Sequence, residues 1–236
     1  MIPISDDNPA RLTPVFTWAL IAACILVYVW EVSLGPDLGQ AIVAYGFRPQ
    51  TLMSPDIAAP GQTLIPPFVT IFTSMFVHGG ILHLAGNMLY LWVFGNNIED
   101  AMGHARFLLF YLLSGVAAAF TMAFMDPAST VPMVGASGAI SGVLGAYVLL
   151  YPRAKVTVLI PLFIILYPFR LSAVWVVGSW FAMQLLSAAY SDPGSPGVAW
   201  WAHVGGFAAG IVLTPFLKSS HIPYFGPRIT RGPWSR

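Results

Sequence analysis

Apolar residues along this chain come in long blocks separated by short polar stretches, and a block of about 20 such residues is what a helix needs to cross a bilayer. Blocks at about Val15–Leu34, Ile81–Asn97, Phe107–Met125, Val134–Tyr151, Leu171–Tyr190 and Val198–Leu217 predict six membrane-spanning helices. A further run, Val156–Phe169, is shorter and carries Pro161 and Pro168, which suits an interfacial or re-entrant piece better than a span. The first block does not read as a signal peptide, because Asp6 and Asp7 precede it and no Ala-x-Ala site closes it.

Composition agrees with that pattern. Hydrophobic residues make up 57% of the 236 and charged residues 8%, too few charges to cover a soluble surface of this size. Ten Lys and Arg against nine Asp and Glu leave a formal charge of +1, which gives nucleic acid no basic field to follow. The one cysteine, Cys24, excludes an internal disulfide and a thiolate metal cage. The expected environment is the lipid bilayer, and the expected fold class is an all-α six-helix membrane bundle.

Charge distribution sets the expected orientation. With both termini cytoplasmic, Arg11, Arg106, Arg153, Lys155, Arg170, Lys218, Arg228, Arg231 and Arg236 fall inside and Arg48 alone outside, as the positive-inside bias requires. A seventh span at Val156–Phe169 would put the basic tail outside. The division expected is a cytoplasmic segment 1–11, a six-helix domain 12–217 and a cytoplasmic tail 218–236. Trp92, Trp200 and Trp201 suit interface anchors. The long, half-apolar loop Gly35–His78 reads either as a partly ordered connector or as an element shielding a site. His104 and His221 fall in cytoplasmic loops.

Polar residues inside apolar spans are functional candidates, because burying them unpaired costs several kcal/mol. His83 and Asn87 in span two, Ser137 in span four and His203 in span six stand out. These spans run in the same direction, outside to inside. At about 1.5 Å per residue, His83, Ser137 and His203 lie roughly 5, 6 and 8 Å below Gly80, Met133 and Val198, so they share one layer in the outer half of the membrane. Asn87 is one turn beneath His83 on the same face. Small residues flank this layer: Gly135, Gly138 and Gly142 in span four, Ala202, Gly206 and Gly210 in span six. Such stripes let helices approach closely.

A serine beside a neutral imidazole is the pattern of nucleophilic catalysis. Free backbone N–H groups at the start of span four, with Asn87 as a side-chain donor, suit a developing oxyanion. No Asp or Glu lies at that depth in spans two, four or six, which makes the arrangement a dyad. No HExxH occurs, and Gly-x-Ser-x-Gly fails at Ala139.

Three strings, His83-Leu84-Ala85-Gly86-Asn87, Gly135-Ala136-Ser137-Gly138 and Ala202-His203-Val204-Gly205-Gly206, resemble the signatures of rhomboid intramembrane serine proteases. The resemblance covers roughly residues 12–217. It implies a protease that cleaves transmembrane segments of membrane proteins near the outer face without metal or cofactor. By motif, Ser137 is the nucleophile and His203 its general base, with His83, Asn87 and the Ser137 N–H as oxyanion hole. It also implies that the first loop is membrane-embedded and that span five is a lateral gate. The lack of a soluble accessory domain favours a bacterial inner membrane. In two places the chain departs from the pattern. Ser141 stands where many relatives place an aromatic that packs on the catalytic imidazole, and Asp100-Ala101 follows Glu99 where many have a basic residue. The alternative is a non-catalytic rhomboid-like protein that binds or chaperones membrane helices; such proteins typically lack the Ser or the His. A transporter would carry polar groups through both membrane halves, whereas spans two, four and six are polar mainly in the outer half.

Overall fold

The structure, a computed structural model, describes residues 1–54, 65–162, 165–192 and 197–226. Among these, six helices of 14 residues or more form a bundle: α1 (Val15–Ser33), α5 (Ile81–Met102), α6 (His104–Met125), α7 (Ser137–Leu150), α8 (Ala173–Tyr190) and α9 (Trp200–Leu217). Three short helices, α2 (Leu38–Tyr45), α3 (Pro49–Met53) and α4 (Pro67–Thr73), occupy the loop after α1. That loop is therefore a built element in its described part. Arg228, Arg231 and Arg236 lie outside the described residues.

Length and composition qualify α1, α6, α8 and α9 to cross a membrane. Helix α5 is long enough, but His83, Asn87, Asn96, Asn97, Glu99 and Asp100 dilute its apolar character. Helix α7 is only 14 residues long, and every residue from Gly138 to Tyr147 is buried. Its neighbours enclose it, so it needs no lipid-facing stripe of its own. The α7–α9 seam explains the small-residue stripes. A methyl at Gly206 would overlap the Gly138 carbonyl, and one at Gly210 the Gly142 carbonyl. Ala202 is buried close by, its carbonyl 3.9 Å from where a Cβ on Gly138 would lie. Backbone here packs on backbone.

The all-α expectation fails at one end of the bundle. Val156–Phe169, expected as an interfacial or re-entrant piece, belongs to a β-hairpin, β2 (Lys155–Leu162) and β3 (Ile165–Ser172). The N-terminal β1 (Ile2–Asp6) adds to it antiparallel, giving the order β1-β2-β3. Two prolines forbid a helix through this run, while Val156, Val158 and Ile160 alternate with Lys155, Thr157 and Leu159, which is strand periodicity. Val156 and Val158 are buried against the bundle. Asp7 stitches the sheet: it accepts from the Lys155 N–H at 2.8 Å and from Arg170 at 3.1 Å. Segment 1–11 is thus an integral part of the fold.

The N-terminal strand and the described residues after α9 gather at this sheet-bearing end. Ser219 donates to the Ala101 carbonyl at 2.8 Å, and Phe225 and Gly226 donate to the Leu149 and Leu150 carbonyls at 3.1 and 3.0 Å, pairing acceptors that helix ends leave open. Glu99, fully buried, completes the anchoring: it accepts from the N–H groups of Phe16 (2.9 Å) and Thr17 (2.8 Å), from the Thr17 hydroxyl (2.7 Å), and pairs with His104 at 2.6 Å. One carboxylate caps the start of α1, where the helix dipole is positive. His104, expected in a loop, is the first residue of α6, and its Nδ1 meets the Glu99 carboxylate where a basic residue shortly after Glu99 was looked for.

Candidate active site

At the opposite end of the bundle, α5, α7 and α9 begin side by side. Helix α7 starts at Ser137, three residues later than the apolar block suggested, because Gly135 takes φ +111 and the chain before it is extended. That stretch is held by Phe47 pairing with Met133 and by the Gly135 N–H donating to the Ser74 carbonyl at 2.8 Å. Helix α9 starts at Trp200, which puts His203 in its first turn. His83, Ser137 and His203 therefore sit in the first turns of three helices, shallower along them than the block boundaries implied.

The central contact is between Ser137 and His203: Nε2 of the imidazole lies 2.8 Å from the serine Oγ. Nδ1 on the other side of the ring lies 2.7 Å from Oε1 of Gln184 on α8. His203 is 8% exposed and Gln184 3%. Two indoles flank the ring, Trp180 at 5.9 Å between centroids and Trp200 edge-on at 6.2 Å. These contacts support the imidazole in place of the aromatic that Ser141 replaces. Gln184 is a residue the sequence reading did not single out. The signal was there, since it is the one carboxamide in a helix otherwise apolar, small or hydroxylic.

Opposite the serine, the Asn87 Nδ2 is buried without a hydrogen-bond partner. A Cβ placed on Gly135 would lie 2.6 Å from His83 Nε2 and 3.3 Å from Asn87 Nδ2. Gly135 is therefore not a helix-packing residue; it leaves open a space that His83 and Asn87 border. The Ser137 N–H belongs to the first turn of α7, where backbone donors have no intrahelical partner. His83 stands beside His78, 5.3 Å between ring centroids. The turn before α5 is fixed by the Glu31 carboxylate, which accepts from the His78 N–H at 3.0 Å, and by His78 Nδ1 donating to the Phe76 carbonyl at 2.9 Å.

A cavity of about 430 Å³ meets the pair from one side, between the segments around Met133 and Val198, with Met75, Gly135 and Ala202 on its walls. A second, of about 210 Å³, meets it between α5 and α8, lined by Leu82, Gly86, Tyr90, Leu144 and Trp180. Both touch His83, Ser137 and His203. The walls are apolar, and the polar groups converge on one point, the usual form of a small binding site.

Three helix starts bring a hydroxyl, two imidazoles and a carboxamide to one cleft in the apolar helical bundle of a multi-pass membrane protein. Residues 67–220 match the Rhomboid domain family, and the chain belongs to the rhomboid family, in general one of intramembrane serine proteases. It is 36% identical over 134 residues to the rhomboid protease GluP of Bacillus subtilis, covering 56% of this chain and 24% of that protein. It is 33% identical over 161 residues to the mitochondrial rhomboid protein 1 of Saccharomyces cerevisiae, covering 64% and 42%. With the human mitochondrial presenilin-associated rhomboid-like protein it shares 30% over 149 residues, covering 61% and 35%. The chain spans less than half the length of each of these relatives.

Proposed function

We propose that this protein is an intramembrane serine endopeptidase that cleaves transmembrane segments of membrane proteins through a Ser137–His203 dyad. The observation that carries the reading is the 2.8 Å approach of His203 Nε2 to Ser137 Oγ. In this mechanism His203 takes the hydroxyl proton as Oγ attacks the scissile carbonyl. The tetrahedral oxyanion forms in the space beside Gly135, where the Ser137 N–H, Asn87 Nδ2 and His83 donate to it. An unpartnered buried donor such as Asn87 Nδ2 supports this role, since it is positioned before the charge develops. His203 then protonates the leaving amine, and water admitted to the cleft hydrolyses the acyl-enzyme with His203 again as base.

In this reading all six long helices cross the membrane, α5 and α7 shielded by the other four. Both chain ends are cytoplasmic, the site lies just below the outer face, and the catalytic unit is 12–217 with β1 docked beneath it. A helical scissile bond is shielded by its own turn, so the substrate must unwind locally. Substrates are expected to carry small or helix-breaking residues near their outer boundary.

The test is labelling of purified protein with a serine-directed fluorophosphonate, beside cleavage of a single-span substrate. Wild type is expected to label and cleave, while Ser137→Ala and His203→Ala do neither. Labelling that survives Ser137→Ala removes the assignment. Binding of the substrate helix by wild type without any cleavage would instead favour a non-catalytic helix binder.

A further inference from the structure

We propose that Gln184 is the positioning residue of the site: its amide oxygen holds the His203 proton on Nδ1 and thereby leaves Nε2 free to act as base toward Ser137. This rests on the dyad reading above. The argument begins with the other end of the amide. Gln184 Nε2 lies 3.3 Å from the Trp180 carbonyl one turn back, and a carbonyl can only accept. The NH₂ group is therefore at Trp180 and the amide oxygen at His203, 2.7 Å from Nδ1. That oxygen also can only accept, so Nδ1 carries the hydrogen. A neutral imidazole has one N–H, and Nε2 is left with its lone pair facing the serine hydroxyl.

The opposite tautomer fails at both ends. It would set an Nε2–H against the hydroxyl whose proton must be removed, and two lone pairs against each other across the Gln184 contact. Rotating the amide by half a turn repairs one clash but opposes its oxygen to the Trp180 carbonyl, leaving buried acceptors unpaired. The choice of an amide also has a physical reason. A carboxylate would stabilise the imidazolium more strongly, but ionised and 3% exposed inside an apolar bundle it would carry a far larger desolvation cost than a neutral group. Trp180 serves twice, as the carbonyl that orients the amide and as the indole beside the ring.

The experiment combines nitrogen NMR of ring-labelled histidine with kinetics of Gln184→Met and Gln184→Glu. Wild type is expected to show His203 as the Nδ1–H tautomer; a wild-type Nε2–H tautomer overturns the proposal whatever the variants do. Gln184→Met keeps the volume and removes the acceptor, and is expected to lower kcat roughly tenfold to a hundredfold with KM within about twofold and a mixed tautomer signal. Gln184→Glu restores an acceptor oxygen and is expected to recover kcat to within about fivefold of wild type. Wild-type kcat and an unchanged tautomer in Gln184→Met, or a Glu variant as slow as the Met variant, would each overturn it. Ser137→Ala and His203→Ala run in parallel separate the two levels. If they still cleave, the dyad reading falls; if they are inactive while Gln184→Met is fully active, only the role of Gln184 falls.

Discussion

Ser141 sits one turn after Ser137 and donates its hydroxyl back to the Ser137 carbonyl at 2.6 Å. The second hydroxyl in this helix is therefore committed to the backbone and fully buried. Ser141→Ala is expected to keep fluorophosphonate labelling and cleavage within about threefold of wild type and to shift stability by less than about 1 kcal/mol. Loss of labelling in that variant would move the nucleophile from Ser137 to Ser141.

Asn87 gives a prediction with opposite signs for stability and rate. Its Nδ2 has no partner in the resting protein, so Asn87→Ala forfeits no hydrogen bond at that atom and relieves a buried unsatisfied donor. The variant should melt at the wild-type temperature or above while kcat falls about 10²–10³-fold, the usual loss for an oxyanion donor. A parallel loss of both would mark Asn87 as helix glue.

Gly135 is tested by adding a single methyl. Gly135→Ala forces an L-residue to φ +111 and sets a Cβ 2.6 Å from His83 Nε2. Cleavage should be lost to a greater extent than thermal stability. Full activity would mean that the reacting carbonyl does not use this space.

Glu99 tests the far end. It lies about 24 Å along α5 from His83, 16 residues at the helical rise. Glu99→Gln leaves three donors of α1 and His104 facing a neutral amide, and is expected to cost about 2–4 kcal/mol of stability by thermal unfolding in detergent. Cleavage per folded molecule should be unchanged.

The sheet carries its own pH dependence. Burial pushes the Asp6 carboxyl up to about 6 from 3.8, with the hydrogen bond from Tyr147 opposing and the charge of Asp7 adding to the rise. The folded state thus binds more protons than the unfolded state between these values. The docking of β1 is fully supported below about pH 4 and loses that support as pH rises through about 6, by at most about 3 kcal/mol. Exchange protection of the β1 amides, corrected for intrinsic rates, should fall across this range in wild type and stay flat in Asp6→Asn. Protection that rises with pH would contradict the assignment.

What the sequence made legible was whatever depends on composition or on spacing within one segment. Six apolar blocks located the long helices, and His83, Asn87, Ser137 and His203 stood out as polar residues where lipid-compatible ones were due. The seam glycines were visible as stripes, although their partners were not. The missed features depend on distant pairing. β1 has five residues, and only a hairpin about 150 positions away gives them a partner. An apolar run between two spans looks like membrane material until its alternation is weighed against its prolines. Gln184 escaped because a neutral amide acquires meaning only when α8 turns that face toward α9. The start of α7 was misplaced because Val134 and Gly135 extend the apolar block without extending the helix.

Helix α8 buries only Ala173, Val176, Val177, Gln184 and Ala188 of its 18 residues. The amide oxygen that lies 2.7 Å from the His203 ring thus rides on one of the least embedded columns of the molecule. Any agent that tilts this column away from α9, whether an incoming peptide or a change in bilayer thickness, withdraws the oxygen from the ring with it. The contact between Gln184 and His203 is then tied to how firmly one peripheral helix is seated, and a probe on its exposed side, at Trp175 for instance, would report that seating.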